Sequence, residues 1–269
     1  MKSLFSFLLL ALPALAGAQQ VKVFNTRAPE GGYLLYVSNP EWYPVTIRYE
    51  FRNAGLRFSE GARTQFVVPA RADSFRIGEL KPEPGATQLS VGYRYFTAMG
   101  EVAPKARDRD YVYDLPFAKG QSFTLYQGYN GSFSHQGENA LDFMMPEGTP
   151  VLAVRAGTVV QVVQENDRSC ATADCKQYNN FITILHADGT FATYVHIRKN
   201  GALVKPGDAV KAGDPVAESG NVGWSNGPHL HLAIFTGSFD KWNTLPVRFR
   251  VDDGRPALLR EGSTYSRAY

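Results

Sequence analysis

From Val21 to about Tyr113 the chain repeats one pattern: short runs in which apolar and polar residues alternate, as in "GGYLLYVSN", "YPVTIRYEF", "RTQFVVPAR", "DSFRIGEL" and "TQLSVGYRYF", each bounded by Gly, Pro, Asn or Asp. Alternation of period two puts every second side chain on one face of a strand, and turn formers at this spacing fold the chain back on itself. No apolar period of 3.6 residues runs through the segment, so a helix would have no stripe to bury there. The pattern predicts an all-β fold that begins with an N-terminal β-sandwich-like domain. This part contains neither His nor Cys, so metal chemistry within it would rest on carboxylates alone. The expected role is that of a scaffold or targeting domain.

The segment "KARDRDYVYDLPFAKG" is charged and turns apolar at Val112, which sets a linker near residues 105–115. Strand signals resume in "TPVLAVRAGTVVQVVQ", "FITILH", "TFATYVHI", "DAVKAGDPVAES" and "LHLAIFTG". The "ADG" between "ILH" and "TFATYVH" predicts a hairpin over 181–196. Counting by two from its loop sets Tyr194 and His196 on one face and Val195 on the other; Tyr194 is a candidate to line a cleft, with a core or surface tyrosine an equally good reading. "EGTPVLAVRAGTVV" and "PGDAVKAGDPVAESG" share a rhythm, an internal echo in the barrel-sandwich style of small carrier domains. The expected domains are therefore 19–112, sandwich-like, and 113–269, mostly antiparallel β, with little helix.

The opening "MKSLFSFLLLALPALAGAQQ" reads as a secretory signal peptide, residues 1–18, with small residues at Ala16 and Ala18 before the cut. Its apolar run, Leu4 to about Leu15, falls short of the roughly 20 residues that span a bilayer. Export to the periplasm, the cell envelope or the medium is expected, with no stable membrane insertion. Roughly 250 residues remain, enough for one large or two modest cores. A formal net charge of +3, of which Lys2 leaves with the signal, is too small to point to nucleic acid. In an oxidising compartment, Cys170 and Cys175 in "RSCATADCKQ" are expected to form a disulfide closing a short surface loop. A thiolate metal site would need a second matching pair.

All five histidines lie in the second part: His135, His186, His196, His229 and His231. In "NGPHLHLAIF", His229 and His231 are two apart, so a strand would turn both imidazoles to one side. That suits a metal, or simply a polar face. "SHQGENALDF" adds His135 and Asp142, whose odd separation requires the Gly137 segment between them to loop. With one histidine of the pair they would form a two-His, one-carboxylate set, which leaves a divalent cation a net positive charge for polarising a carbonyl and acidifying water.

The stretches "SHQGENALDFMMPEGTPVLAVRAGTVV" and "NNFITILHADGTFATYVHIRKNGALVKPGDAVKAGDPVAESGNVGWSNGPHLHLAIF", in that order, resemble the lysostaphin-type, or LytM-like, zinc metalloendopeptidases over roughly residues 121–236. The resemblance implies one Zn2+ per chain held by His135, Asp142 and His231. It implies that His196 and His229 flank the metal-activated water as catalytic residues, and that the substrate is the peptide part of bacterial cell-wall peptidoglycan. It gives His186 no role at the metal. Two features depart from the family pattern. Six residues rather than the common three separate His135 from Asp142, and the Cys170–Cys175 loop looks like an insertion beside the cleft, which makes transfer of specificity unsafe. Relatives that lose ligands regulate other wall hydrolases as silent interaction proteins; here all three ligands and both flanking histidines are present. A lipoyl-type carrier, the third reading of "VKPGDAVKAGDPV", has no use for five histidines. Asn179 and Asn180 are candidates for binding substrate main chain, though turn chemistry explains them as well. The loops expected to line the cleft are 130–140, 165–180, 197–205 and 221–228. The N-terminal domain is left to bind wall, to engage an envelope protein partner, or to cover the cleft.

Overall fold

The computed structural model describes residues 21–252 and 254–269; the signal-peptide reading of residues 1–18 lies outside them. The early alternation becomes two antiparallel sheets. One has the strand order Lys22–Arg27, Tyr33–Asn39, Ala72–Pro82, Leu56–Phe58, and the other Gln65–Val68, Val45–Phe51, Tyr93–Met99. Leu35 and Val37 on the first sheet and Val45, Ile47 and Tyr49 on the second are spaced two apart, buried, and belong to one cluster. Each such side chain removed from water contributes about 1.5–3 kcal/mol, which is why the period survives as a sandwich.

Among the described residues the largest sheet has nine strands, all antiparallel to their neighbours. Its centre runs Gly157–Val163, Phe181–Leu185, Phe191–Val195, Leu230–Thr236, Ala140–Phe143, Ser122–Gln127. The predicted hairpin is present, with Phe181 opposite Val195 and Leu185 opposite Phe191. The echoing segments pair with each other, Val151 opposite Ala217 and Gly157 opposite Val210. The one helical segment among the described residues is the 3-10 helix Ala173–Tyr178. The fold is thus all-β and mostly antiparallel, as expected. Among the described residues two short strand pairs are parallel, Ser169–Cys170 with Gly223–Trp224 and Val112–Tyr113 with Arg248–Val251, as are three isolated bridges.

The large sheet uses its two faces differently. Val159, Ile182, Ile184, Tyr194, Leu232 and Ile234 point into the main core. On the opposite face Val160, Phe191 and Phe235 join the cluster of the N-terminal sandwich. Two and four residues further along the same strands, Thr193 and Val195, and Ala233 and His231, line an open groove. The sandwich therefore covers one half of a face and leaves the other half free. Gly100 makes the contact close: at φ +74° it needs no side chain, and a Cβ there would lie 2.5 Å from Phe191 Cε2. From this contact, stacked rings run to the groove. Tyr43 meets Phe191 edge-on, Phe191 stacks on Phe235 at 5.1 Å, and Phe235 stacks on the half-exposed Trp242 at 4.4 Å.

Candidate metal centre

Asp142 lies on the strand Ala140–Phe143, where Leu141 and Phe143 take the core face and so turn Asp142 the other way. It is the direct cross-strand partner of His231, and His231 is that of Val195. A register shift between Asp142 and Phe143 then places Gln127 opposite Asp142 while Leu125 stays opposite Phe143. Such bulges re-aim side chains. Gln127 is buried and uses its whole amide: Nε2 donates to Asp142 Oδ2 at 2.9 Å and to Ser134 Oγ at 2.8 Å, and Oε1 accepts from the Phe133 and Ser134 amides. That clamp shapes the longer loop that carries His135 inward, 1% exposed.

His135, Asp142 and His231 come together. His135 Nε2 is 3.3 Å from His231 Nδ1 and 3.2 Å from Asp142 Oδ2, and His231 Nδ1 is 2.9 Å from Asp142 Oδ1. Two nitrogens on one tetrahedral zinc, each at ~2.0–2.1 Å, are about 3.3 Å apart, so the donors have the spacing a small divalent cation requires. His135 Nδ1–H donates to the Gly128 carbonyl at 3.0 Å, which leaves Nε2 as a lone pair toward the centre. Burial works to lower the His135 pKa, but the hydrogen bond that the protonated ring donates from Nε2 to Asp142, together with the charge of that carboxylate, outweighs it and raises it. Burial likewise opposes ionisation of Asp142, yet His135 and His231 hold its carboxyl well below the usual range. The donor set fits a cation.

His196 and His229 stand beside this set, their rings 4.5 Å apart and that of His196 5.9 Å from His231. His196 Nδ1–H donates to the Val222 carbonyl and His229 Nδ1–H to the Gly227 carbonyl, both at 2.8 Å, so each Nε2 is an unprotonated base. Burial, then the charges of His229 and His231, push the His196 pKa down to about 3. Burial lowers that of His229 as well. Ser225 Oγ, at 3.2 Å from His229 Nδ1, is itself tied to Asn221 and Gly227, and this network steadies the His229 ring.

The alternation expected at 194–196 is broken. Tyr194 is fully buried in the core, its hydroxyl accepting the Val154 amide, while Val195 and His196 both line the groove. The reason is the backbone at His196, φ +67°, a left-handed turn that costs a non-glycine residue about 1–2 kcal/mol and cancels the strand period. His186 sits outside the groove, donating from Nδ1 to Ala156. Of the two asparagines, Asn180 is wholly buried, its amide bound to Asn166 and the Ile197 carbonyl. Asn179 lines the groove with Oδ1 on the Trp224 amide. The loops around 130–140, 165–180 and 221–228 contribute to the walls, but 197–205 does not: the strand Ile197–Ala202 pairs with Pro215–Ser219 in another sheet and is drawn away. No described residue before Tyr126 lines the groove, so the sandwich does not cover it. Gln127 and Ser225 had escaped the sequence reading; the only signal was a polar residue at Gln127 in phase with buried Leu125.

The groove holds about 420 Å3 beside this cluster and is flanked by exposed aromatic rings of Tyr126, Phe133 and Trp242. Its polar groups converge on His135, Asp142 and His231, the cluster that could hold a metal ion. Cys170 and Cys175 are bonded, Cα atoms 5.8 Å apart, on one wall.

Residues 136–243 match the family model described as Peptidase family M23. An uncharacterised metalloprotease of Haemophilus influenzae is 36% identical over 159 residues, which is 59% of this chain and 31% of that protein. The peptidoglycan DD-endopeptidase ShyA of Vibrio cholerae is 37% identical over 96 residues, 36% of this chain and 20% of ShyA. The chain thus spans less than a third of either relative. Among solved structures, the catalytic domain of the antimicrobial peptidase lysostaphin from Staphylococcus simulans is 30% identical, covering 45% of this chain and 83% of that one, with a TM-score of 0.33.

Proposed function

The chain carries a domain of peptidase family M23, and we propose that it is an exported, zinc-dependent endopeptidase that hydrolyses peptide cross-links or stems of bacterial cell-wall peptidoglycan. The observation that carries this reading is the convergence of His135, Asp142 and His231 with two further histidines whose Nε2 atoms are free bases, all in one groove. His135, Asp142 and His231 would hold the ion, and zinc bound there would polarise a peptide carbonyl and acidify water. The groove's apolar walls take an extended peptide across the cluster. One of the two free Nε2 atoms, of His196 or His229, accepts a proton from the attacking water as its oxygen adds to the peptide carbon, and the N–H so formed faces the oxygen that gains negative charge. The same proton returns to the amine as the C–N bond breaks.

On this reading residues 113–269 are the catalytic unit and residues 19–112 a sandwich domain that props the sheet through Phe191 and Phe235, leaving its outer surface for an envelope partner. The test is metal analysis and peptidoglycan digestion with the mature protein and with His231→Ala. About one zinc per chain and new peptide termini, both lost in the variant, are expected. A protein that binds no zinc in metal-replete buffer, or binds it and opens no peptide bond in peptidoglycan, overturns the proposal.

A further inference from the structure

The wall made by the disulfide loop is built to hold one cation in the groove. Cys170 pairs in parallel with Trp224, and the Ser225 amide donates to the Cys170 carbonyl. Trp224 is pinned at both ends: its indole N–H donates to the Ala171 carbonyl at 3.1 Å and its amide to Asn179 Oδ1 at 2.9 Å. Gly223 allows this fit, since at φ +88° a Cβ there would fall 1.9 Å from Asn179 Oδ1. Lys176 follows buried Cys175 directly and lays its Nζ over the Trp224 ring, 4.6 Å from the centroid. Lys176 is the one Lys or Arg among the described residues that line the groove, and no described carboxylate forms an ion pair with it.

A lysine held over an aromatic face, with no ion-paired carboxylate among the described residues, is an unmatched positive charge at the wall of the groove. Its ammonium retains donors that the ring does not use. We propose that Lys176, held in place by Trp224 and the Cys170–Cys175 bridge, is a specificity-determining residue that binds a free carboxylate on an acidic residue of the substrate peptide. The inference rests on the endopeptidase reading and adds the charge of the preferred substrate. It also accounts for the disulfide loop, which fixes the Lys176 backbone so that little ordering is left to be done when the anion arrives.

The experiment compares two synthetic peptides of the peptidoglycan-stem type that differ only in one acidic residue, carboxylate in one and carboxamide in the other. Each is assayed for cleavage and, separately, for binding to the mature protein by calorimetry. The carboxylate peptide should be favoured about fivefold, the worth of one partly exposed ion pair, chiefly through KM and Kd, and the margin should shrink as salt is raised. Lys176→Gln should remove the preference, Lys176→Arg should keep it, and Lys176→Glu should reverse it. The Cys170→Ser/Cys175→Ser double variant should reduce it while still cleaving the carboxamide peptide. Equal handling of both peptides by the wild type, or a preference that survives Lys176→Gln, overturns the inference. If the charge preference appears in binding but neither peptide is cut, the endopeptidase reading fails while the carboxylate subsite stands.

Discussion

His186 makes a sharp thermodynamic prediction because the fold buries it as a neutral ring. It is 2% exposed, its Nδ1–H donates to the Ala156 carbonyl at 3.0 Å, and its Nε2 has no partner. Burial, followed by opposing contributions from the Ala156 hydrogen bond and from Arg155, pushes its pKa down to about 4. The unfolded chain takes up this proton near pH 6.5, the folded chain only near 4. Above the higher value both states are neutral and stability is at its full level; as pH falls toward 4 the unfolded state binds more protons and stability is lost. At 1.36 kcal/mol per pH unit the loss reaches about 2 kcal/mol by pH 5 and about 3 kcal/mol by pH 4. His186→Asn keeps an N–H near Ala156 and has nothing to titrate. Urea unfolding of both proteins at pH 7 and pH 5 isolates the effect, since every other titrating group is common to the two. The wild type should lose about 2 kcal/mol more than the variant over that interval. Equal losses would refute the reasoning and mean that the folded protein lets a proton reach Nε2.

Four further outcomes are expected. Gln127→Leu removes the hydrogen bond that orients Asp142 Oδ2 and strands the Phe133 and Ser134 amides, so zinc affinity, read by chelator competition, should fall about 10- to 100-fold with the sheet intact by circular dichroism. Gly223→Ala meets both a left-handed backbone and Asn179 Oδ1; it should cost at least about 2 kcal/mol in urea unfolding and shift Trp224 fluorescence. Phe191→Ala empties the joint between sandwich and large sheet and should cost about 3–5 kcal/mol. For the same reason, deleting residues 19–112 should lower stability and raise neither kcat nor kcat/KM, because no described residue of the sandwich lines the groove. A more active truncated protein would instead indicate latency.

The sequence by itself determined the class of fold and the identity of the clustered side chains. Period-two alternation cannot be buried as helix, so the sandwich and the 181–196 hairpin followed from local pattern. The histidines stood out because two residues apart on a strand means one side, and His229 and His231 do share the groove. Local pattern stops where register and backbone handedness begin. That Gln127 faces Asp142 depends on a one-residue shift between two strands far apart in sequence. Tyr194 and His196 part company because of a single left-handed residue, which alternation cannot foresee. Only the assembled sheet decided that the sandwich covers Phe191 and Phe235 while leaving Val195 and His231 open, four residues along the same strands. Short-range preferences fix what each strand buries; which half of a face stays open is settled by what packs against it from elsewhere in the chain.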